Sequence, residues 1–189
     1  MGIIILSALA DETEELQSKY KVILTGVGKV NAAIASSKAI QKYNPDLIIN
    51  YGSAGSTKKN ISGLVDCKYF IQRDMDSRSL GFELGQTPYE NYPSKIIEAS
   101  NHPANTINMN LTCATGDSFV TSDLDLDTDI IDMEAYSIAK ICCLEKIPFL
   151  CFKYISDFTN ENAPHDFNQN VKNGGILFSN YLESVSGYL

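Results

Sequence analysis

Hydrophobic and polar positions change period repeatedly along the 189 residues. "GIIILSALA" is a continuous apolar, β-rich run, and "DETEELQSKY" after it has the polar, helical character of a first helix. "KVILTGVG" returns to a strand. "KVNAAIASSKAIQKY" spaces Val30, Ala33, Ile34 and Ile40 at helical intervals, and "PDLIINYGSAG" is a third strand ending in small residues. Further along, the pattern predicts a strand in "CKYFIQRD", a short helix in "PSKIIEAS", a strand in "MNLTCATGD", and "DIID" leading into a helix over "MEAYSIAKICCLEK". "PFLCFKYISD" is the last strand, and "FNQNVKNGGILFSNYLESV" a closing helix with a kink expected at Gly174-Gly175. Continuously apolar strands alternating with helices predict an α/β fold: three αβα layers around a central, mostly parallel, twisted mixed sheet, in one domain over residues 1–189. Irregular stretches are expected at 56–65, 85–110 and 158–168.

Composition narrows the function classes. Apolar residues make up 44% and charged residues 20%, ordinary for a soluble globular chain. The net charge of −8 and the lack of a basic run argue against nucleic-acid and anionic-membrane partners. The first apolar run lacks a basic flank and a cleavage site, so it does not read as a signal peptide, and no run approaches the ~18 residues of a spanning helix. The five cysteines are odd in number and sit mostly in apolar runs, so they read as reduced core residues of a cytoplasmic protein. Two histidines and irregular cysteine spacing leave no zinc pattern, and no metal or cofactor is expected.

In folds of this class ligands sit at the carboxyl ends of the strands. Polar or glycine-rich residues cluster there: Glu12, Gly26-Val27-Gly28, Gly52-Ser53-Ala54-Gly55, Gly116-Asp117-Ser118-Phe119 and Ser156-Asp157. Each has a plain reading. The glycines of "TGVGKVNAA" make a tight strand-to-helix turn or bring amides to a ligand; the motif is neither GxGxxG nor a Walker A loop. "NYGSAGS" is a close backbone crossing or a floor for a flat ligand, with Ser53 as donor. Phe119 in "ATGDSFV" is a core aromatic or a ring that stacks on a base. Asp157 is an N-cap, or an acid whose proton is retained in an apolar site. Glu12, on its own, is a first-turn helix decoration favoured by the macrodipole. Glu134 in "TDIIDMEAYSIAKICC" stands at the mouth of an apolar helix, where Asp132 reads as the N-cap and Ile138, Ala139, Ile141 and Cys142 as the buried face.

The ordered set "TGVGKVNAA", "IINYGSAGS", "LGFELGQTP", "TGDSFV", "IDMEAYSIAKIC" and "ISD" resembles the 5'-methylthioadenosine/S-adenosylhomocysteine nucleosidases of the purine nucleoside phosphorylase-like superfamily, from Met1 to about Val185. The resemblance implies a nucleoside phosphorylase-like fold, a homodimer, and hydrolysis of an N-glycosidic bond. It implies Glu12 as the activator of water with Ser53 beside it in the Ser53-Ala54-Gly55 floor, and Asp157 as the acid at N7 of adenine, positioned by Ser156. Phe119 would stack on the base and the Val120 backbone would read its edge. Met133 and Glu134 would hold the ribose. Leu9, Leu80, Phe82 and Pro88 would line the 5'-thio pocket, and Phe167 would close a lid.

This chemistry needs an acid at the departing base and a base at the water, and Asp157 and Glu12 supply both. A phosphorylase would need arginines beside the "GSAG" floor. Arg73 and Arg78 both lie before "LGFELG", and Glu12 at the nucleophile position would repel phosphate. Three features depart from the family pattern. The chain lacks a hairpin between "LQSKY" and "KVILTG" and a helical insert between "GDSFV" and "IDMEAY". Lys153 stands where the family has arginine, a change expected to reposition Glu12 or the water. Ser77-Arg78-Ser79 make one segment more polar. Another purine nucleoside, such as a futalosine-like compound, and a catalytically weak nucleoside-binding protein are the alternative readings.

Overall fold

The computed structural model describes residues 2–93, 95–122, 124–158 and 163–189, with the side chains of 157 and 163–172 outside the description. The first strand, β1 (Ile3–Ser7), lies between β2 (Lys21–Leu24) and β3 (Leu47–Ser56), parallel to both. The last strand, β8 (Phe149–Phe158), runs parallel to β3 on its other side and antiparallel to β4 (Gly63–Gln72). β4 continues the sheet through a parallel partner, β6 (Leu111–Thr115), which is parallel to β7 (Ile130–Asp132). β7 then returns antiparallel to β3. The sheet is mixed, and β3, β7, β6, β4 and β8 close into a ring, so part of it is a small barrel. The alternation of strands and helices does not reveal this closure.

Side-chain alternation divides the core. Ile4, Leu6 and Ile48 join one cluster with Ala139 and Ile138 of α2 (Ala135–Glu145) and with Ala32 and Ile40 of α1 (Lys29–Tyr43). Ile5, Leu47, Ile49 and Phe152 join another with Phe178 and Leu182 of α3 (Ala163–Ser184). The buried face of α1 is Ala32, Ser36, Ala39 and Ile40, whereas Val30 and Ile34 are 68% and 50% exposed. Mostly small residues thus form the buried face of α1, which packs on α2, and Val30 and Ile34 face outward despite their helical spacing.

Three expected elements differ. "DETEELQSKY" forms two 3₁₀ turns, Ala10–Glu12 and Glu14–Leu16, because Thr13 (φ −132°) interrupts the helical path and the Glu12 side chain turns inward. "PSKIIEAS" contains the edge strand β5 (Ile97–Glu98), antiparallel to β4; its β-branched residue covers the sheet edge, with Ile97 opposite Phe70. The closing helix runs unbroken through Gly174-Gly175. These glycines permit close packing: a Cβ on Gly174 would stand 2.7 Å from Tyr51 Oη, and one on Gly175 would stand 2.8 Å from the Glu12 carbonyl.

Candidate active site

The strand ends meet at a cavity of about 250 Å³ lined by Leu9, Glu12, Ser53, Ala54, Gly55, Phe119, Val120, Met133, Glu134 and Ser156, all named from the sequence. It is also lined by Arg73 and Asp132. Leu80, Phe82 and Pro88 do not line it in the single chain. Leu80 is 65% exposed in a 3₁₀ turn, and Phe82 packs edge-on against Tyr89. The side chains of Asp157 and Phe167 lie outside the described residues.

The position of Glu12 follows from its neighbours. It ends the first 3₁₀ turn and is buried. Ser7 Oγ (2.7 Å) and Leu9 N (3.1 Å) donate to Oε2, while Ser53 N (2.9 Å) and Ser53 Oγ (2.7 Å) donate to Oε1. Gly52 makes room for this carboxylate, since a Cβ there would lie 3.3 Å from Oε1. The "GSAG" floor is therefore a close approach of backbone to Glu12, and Ser53 is a donor to that residue.

Glu134 is the N-cap residue of α2 and is also buried. Its Oε1 accepts a hydrogen bond from Gly28 N at 2.8 Å. Gly28 is the N-cap of α1 at φ +96°, a conformation that favours glycine, and the next amide, Lys29 N, donates to Asp117 Oδ1 at 2.7 Å. The amides freed by "TGVGK" thus hold two carboxylates of the protein at the positive end of a helix. Burial and the neighbouring Asp132 push Glu134 up to about 7, against Lys153 and the Gly28 amide, which pull it down.

The N-cap of α2 is Glu134 and not Asp132, as the sequence suggested, because β7 runs through Asp132 and the helix begins only at Ala135; from the strand end Asp132 Oδ2 still accepts Ala135 N (2.8 Å) and Glu134 N (3.3 Å). Lys153, which stands where the family has arginine, places its Nζ 2.8 Å from Asp132 Oδ2 in a buried ion pair. No sequence spacing signals that pair, because β7 and β8 are not neighbouring strands.

The loop after β6 is fastened from the same side. Arg73 follows β4 and donates through Nη1 to Ser118 Oγ (2.9 Å) and through Nη2 to Gly116 O (2.9 Å) and Ser118 O. Lys29 Nζ and Asp117 N both bind the Asp74 carboxylate. Phe119, half exposed, thereby stands at the cavity mouth on a braced loop. Sequence reasoning missed Arg73 as a site residue; its place beside the strand end of "CKYFIQRD" was the available signal. At the β3–β8 pair the register shifts between Ala54 and Gly55, so the Asp157 backbone stands opposite Gly55 with Ser156 as the extra residue. Such a bulge re-aims side chains at a strand end.

A sheet of this topology, with one cleft at its strand ends lined by buried carboxylates and a glycine-rich floor, defines a class. The chain belongs to the phosphorylase superfamily, whose family model matches residues 13–184. It is similar to the 5'-methylthioadenosine/S-adenosylhomocysteine nucleosidase of Staphylococcus haemolyticus strain JCSC1435, at 32% identity over 90% of this chain and 83% of the relative. It is also similar to the enzyme of that name from Shewanella halifaxensis strain HAW-EB4, at 31% identity over 82% and 75% of the two chains. Two solved Helicobacter pylori structures share the fold at 22% identity and cover the whole chain. One is a nucleosidase of the same name with butyl-thio-DADMe-Immucillin-A (TM-score 0.89, 99% of that chain), the other a futalosine hydrolase (TM-score 0.88, 98% of that chain). The likeness read from the sequence motifs therefore holds over most of the chain. Among the described residues, no helix is long and apolar enough to cross a membrane, and no group of three or more His, Cys, Asp or Glu could hold a metal ion.

Proposed function

We propose that the protein hydrolyses the N-glycosidic bond of 5'-thioadenosine nucleosides, methylthioadenosine and S-adenosylhomocysteine, and releases adenine. The observation that carries this reading is the pair of buried carboxylates in one cleft, Glu12 held by Ser53 on the floor and Glu134 at the mouth of α2. The relatives that bear this activity in their names match across most of the chain.

In this reading the ribose lies over Met133 with its 2'- and 3'-hydroxyls on Glu134, and the base lies between Phe119 and the Val120 backbone. As the C1'–N9 bond breaks, the sugar acquires oxocarbenium character and the base becomes an anion. Asp157, positioned by Ser156, gives a proton to N7 of the adenine. Glu12 takes one from the water whose oxygen bonds to C1'. The carboxylates at the sugar favour the cationic transition state more than the neutral substrate. Phosphate is disfavoured as nucleophile by the charge of Glu12 at the floor, while Arg73 is committed to the Gly116–Ser118 loop.

The proposal includes Leu9, Leu80, Phe82 and Pro88 as the wall for the 5'-thio group, Phe167 as a lid, three αβα layers, a cytoplasmic setting suited to five free cysteines, and a homodimer. The exposed Leu24, Val27, Val30 and Ile34 support the dimer, since a second copy would cover them. Light scattering at micromolar concentration should give twice the chain mass; a monomer contradicts it.

Incubation with methylthioadenosine, adenosylhomocysteine, inosine and adenosine, with and without phosphate, tests the function. Free adenine from the first two, at a rate that phosphate does not change, is the expected outcome. Leu80, Phe82 and Pro88 do not line the cavity of the single chain, which leaves room for a second reading, another purine nucleoside such as a futalosine-like compound. Release of hypoxanthine from inosine in preference to adenine would select it.

A further inference from the structure

Lys153 is a lysine with its side chain 1% exposed, and it sits on the strand that closes the ring, opposite Gly52 of β3 and Val65 of β4. Its Nζ reaches Asp132 at the end of β7, so the pair joins two strands that share no ladder. Asp132 Oδ1 accepts Thr115 Oγ1 at 2.5 Å, and Thr115 Oγ1 in turn accepts Tyr136 N at 2.9 Å. Together with the amides of Glu134 and Ala135 on Oδ2, these contacts fix the first turn of α2 to the barrel. We propose that Lys153 is a positioning residue for the sugar end of the cleft: acting through Asp132, it fixes the β7–α2 junction and supplies the buried positive charge beside which Glu134 can face the cavity as a carboxylate.

The charge balance supports this assignment. Glu134 faces Asp132 from β7, Glu12 from the first 3₁₀ turn, Lys153 from β8 and the Gly28 amide from α1, and Arg73 lines the same cavity. Burial, Asp132 and Glu12 all favour its protonated form, while Lys153 and the Gly28 amide oppose them. Burial likewise works against the charge on Lys153, but Asp132 raises its pKa well above the ordinary lysine value, so the cation persists. Burial also opposes the Asp132 anion, and Lys153, Thr115 and the Ala135 amide hold its carboxyl below the ordinary range. Removing Lys153 would leave Asp132 and Glu134 as buried carboxylates without that counter-ion.

The inference rests on the reading of Glu134 as the sugar's acceptor, and the test separates the two. Lys153→Met, Lys153→Arg and Asp132→Leu/Lys153→Met are compared with wild type by carbon-13 NMR titration of the Glu134 carboxyl in nucleoside-free protein, assigned with Glu134→Gln, and by KM and kcat. Lys153→Met should move the Glu134 midpoint up by about one unit or more and carry the acid limb of kcat/KM with it. Lys153→Arg should restore both. If Lys153→Met fails to fold, the double variant takes its place, because replacing both members of a buried pair is tolerated better than stranding one. It should keep the fold while the Glu134 and Ala135 amides exchange about tenfold faster and KM rises about tenfold. A folded Lys153→Met with the wild-type midpoint, or a double variant with wild-type exchange and KM, overturns the inference. If wild type releases no adenine, the proposed function fails while the titration and exchange still decide the role of Lys153.

Discussion

Two glutamates, both nearly inaccessible, stand at two ends of one cleft in opposite circumstances. Glu12 is 3% exposed and receives four hydrogen bonds, two on each oxygen. Glu134 is 7% exposed and, among the described residues, receives one, from Gly28 N, with Asp132 two residues away. Burial is nearly the same for both, and the local donors make the difference. The donors fix Glu12 in one rotamer at the floor, suited to orienting a small nucleophile. Glu134 keeps unused acceptor capacity and a pKa pushed up to about 7, suited to a partner with hydroxyl donors, which a ribose would supply.

Removing the proton acceptor at the floor or the proton donor at the adenine should have the most severe effect. Glu12→Gln and Asp157→Asn should each lower adenine release by about 10²–10⁴-fold with the far-UV spectrum unchanged, and wild-type rates in either would sink the mechanism. Glu134→Gln should cost less, about 10–10²-fold in kcat/KM, because it weakens binding and sugar orientation without removing a proton-transfer group. It should also flatten the acid limb near pH 7. Its stability should move the other way. Folded Glu134 keeps its proton to about 7, against an ordinary value of 4.5, so the folded chain binds more protons between those limits and stability falls as pH rises through the window. The Glu134→Gln protein should therefore gain on the order of 2 kcal/mol, about 5 °C in Tm, at pH 8 and little near pH 4.5. Equal Tm values at pH 8 would remove the claim that ionising the buried Glu134 costs stability.

The smallest effect comes from the back of the floor. Gly175→Ala would place a Cβ 2.8 Å from the Glu12 carbonyl, and backbone on both sides leaves no flexible group to yield. About 1–3 kcal/mol of stability and roughly tenfold in kcat should be lost, with KM nearly unchanged. Wild-type kcat in the Gly175→Ala protein would show that α3 does not hold Glu12.

How much of this was legible in the sequence follows from the range of each interaction. "KVNAAIASSKAIQKY" gave a helix with the observed bounds, Lys29–Tyr43, since its start and stop are local. The polar strand ends were legible because each is a short motif, and ten of the named residues line one cavity. The ring of β3, β7, β6, β4 and β8 was not, because closure depends on pairing between segments far apart in the chain. The Lys153–Asp132 pair was hidden for the same reason. Val30 and Ile34 had the right period but face outward, because small residues sit where α1 meets α2. The double glycine of α3 looked like a kink; its neighbours across the core, Tyr51 and Glu12, explain it as a contact surface.

The central claim is that water, not phosphate, accepts the sugar of a 5'-thioadenosine. The most direct measurement follows methylthioadenosine turnover in phosphate buffer, with adenine quantified by chromatography and the sugar product by phosphorus-31 NMR. One adenine should be released for each molecule of free 5-methylthioribose, with no new phosphorus signal. A sugar 1-phosphate resonance rising with adenine, or intact substrate after prolonged incubation, would contradict it.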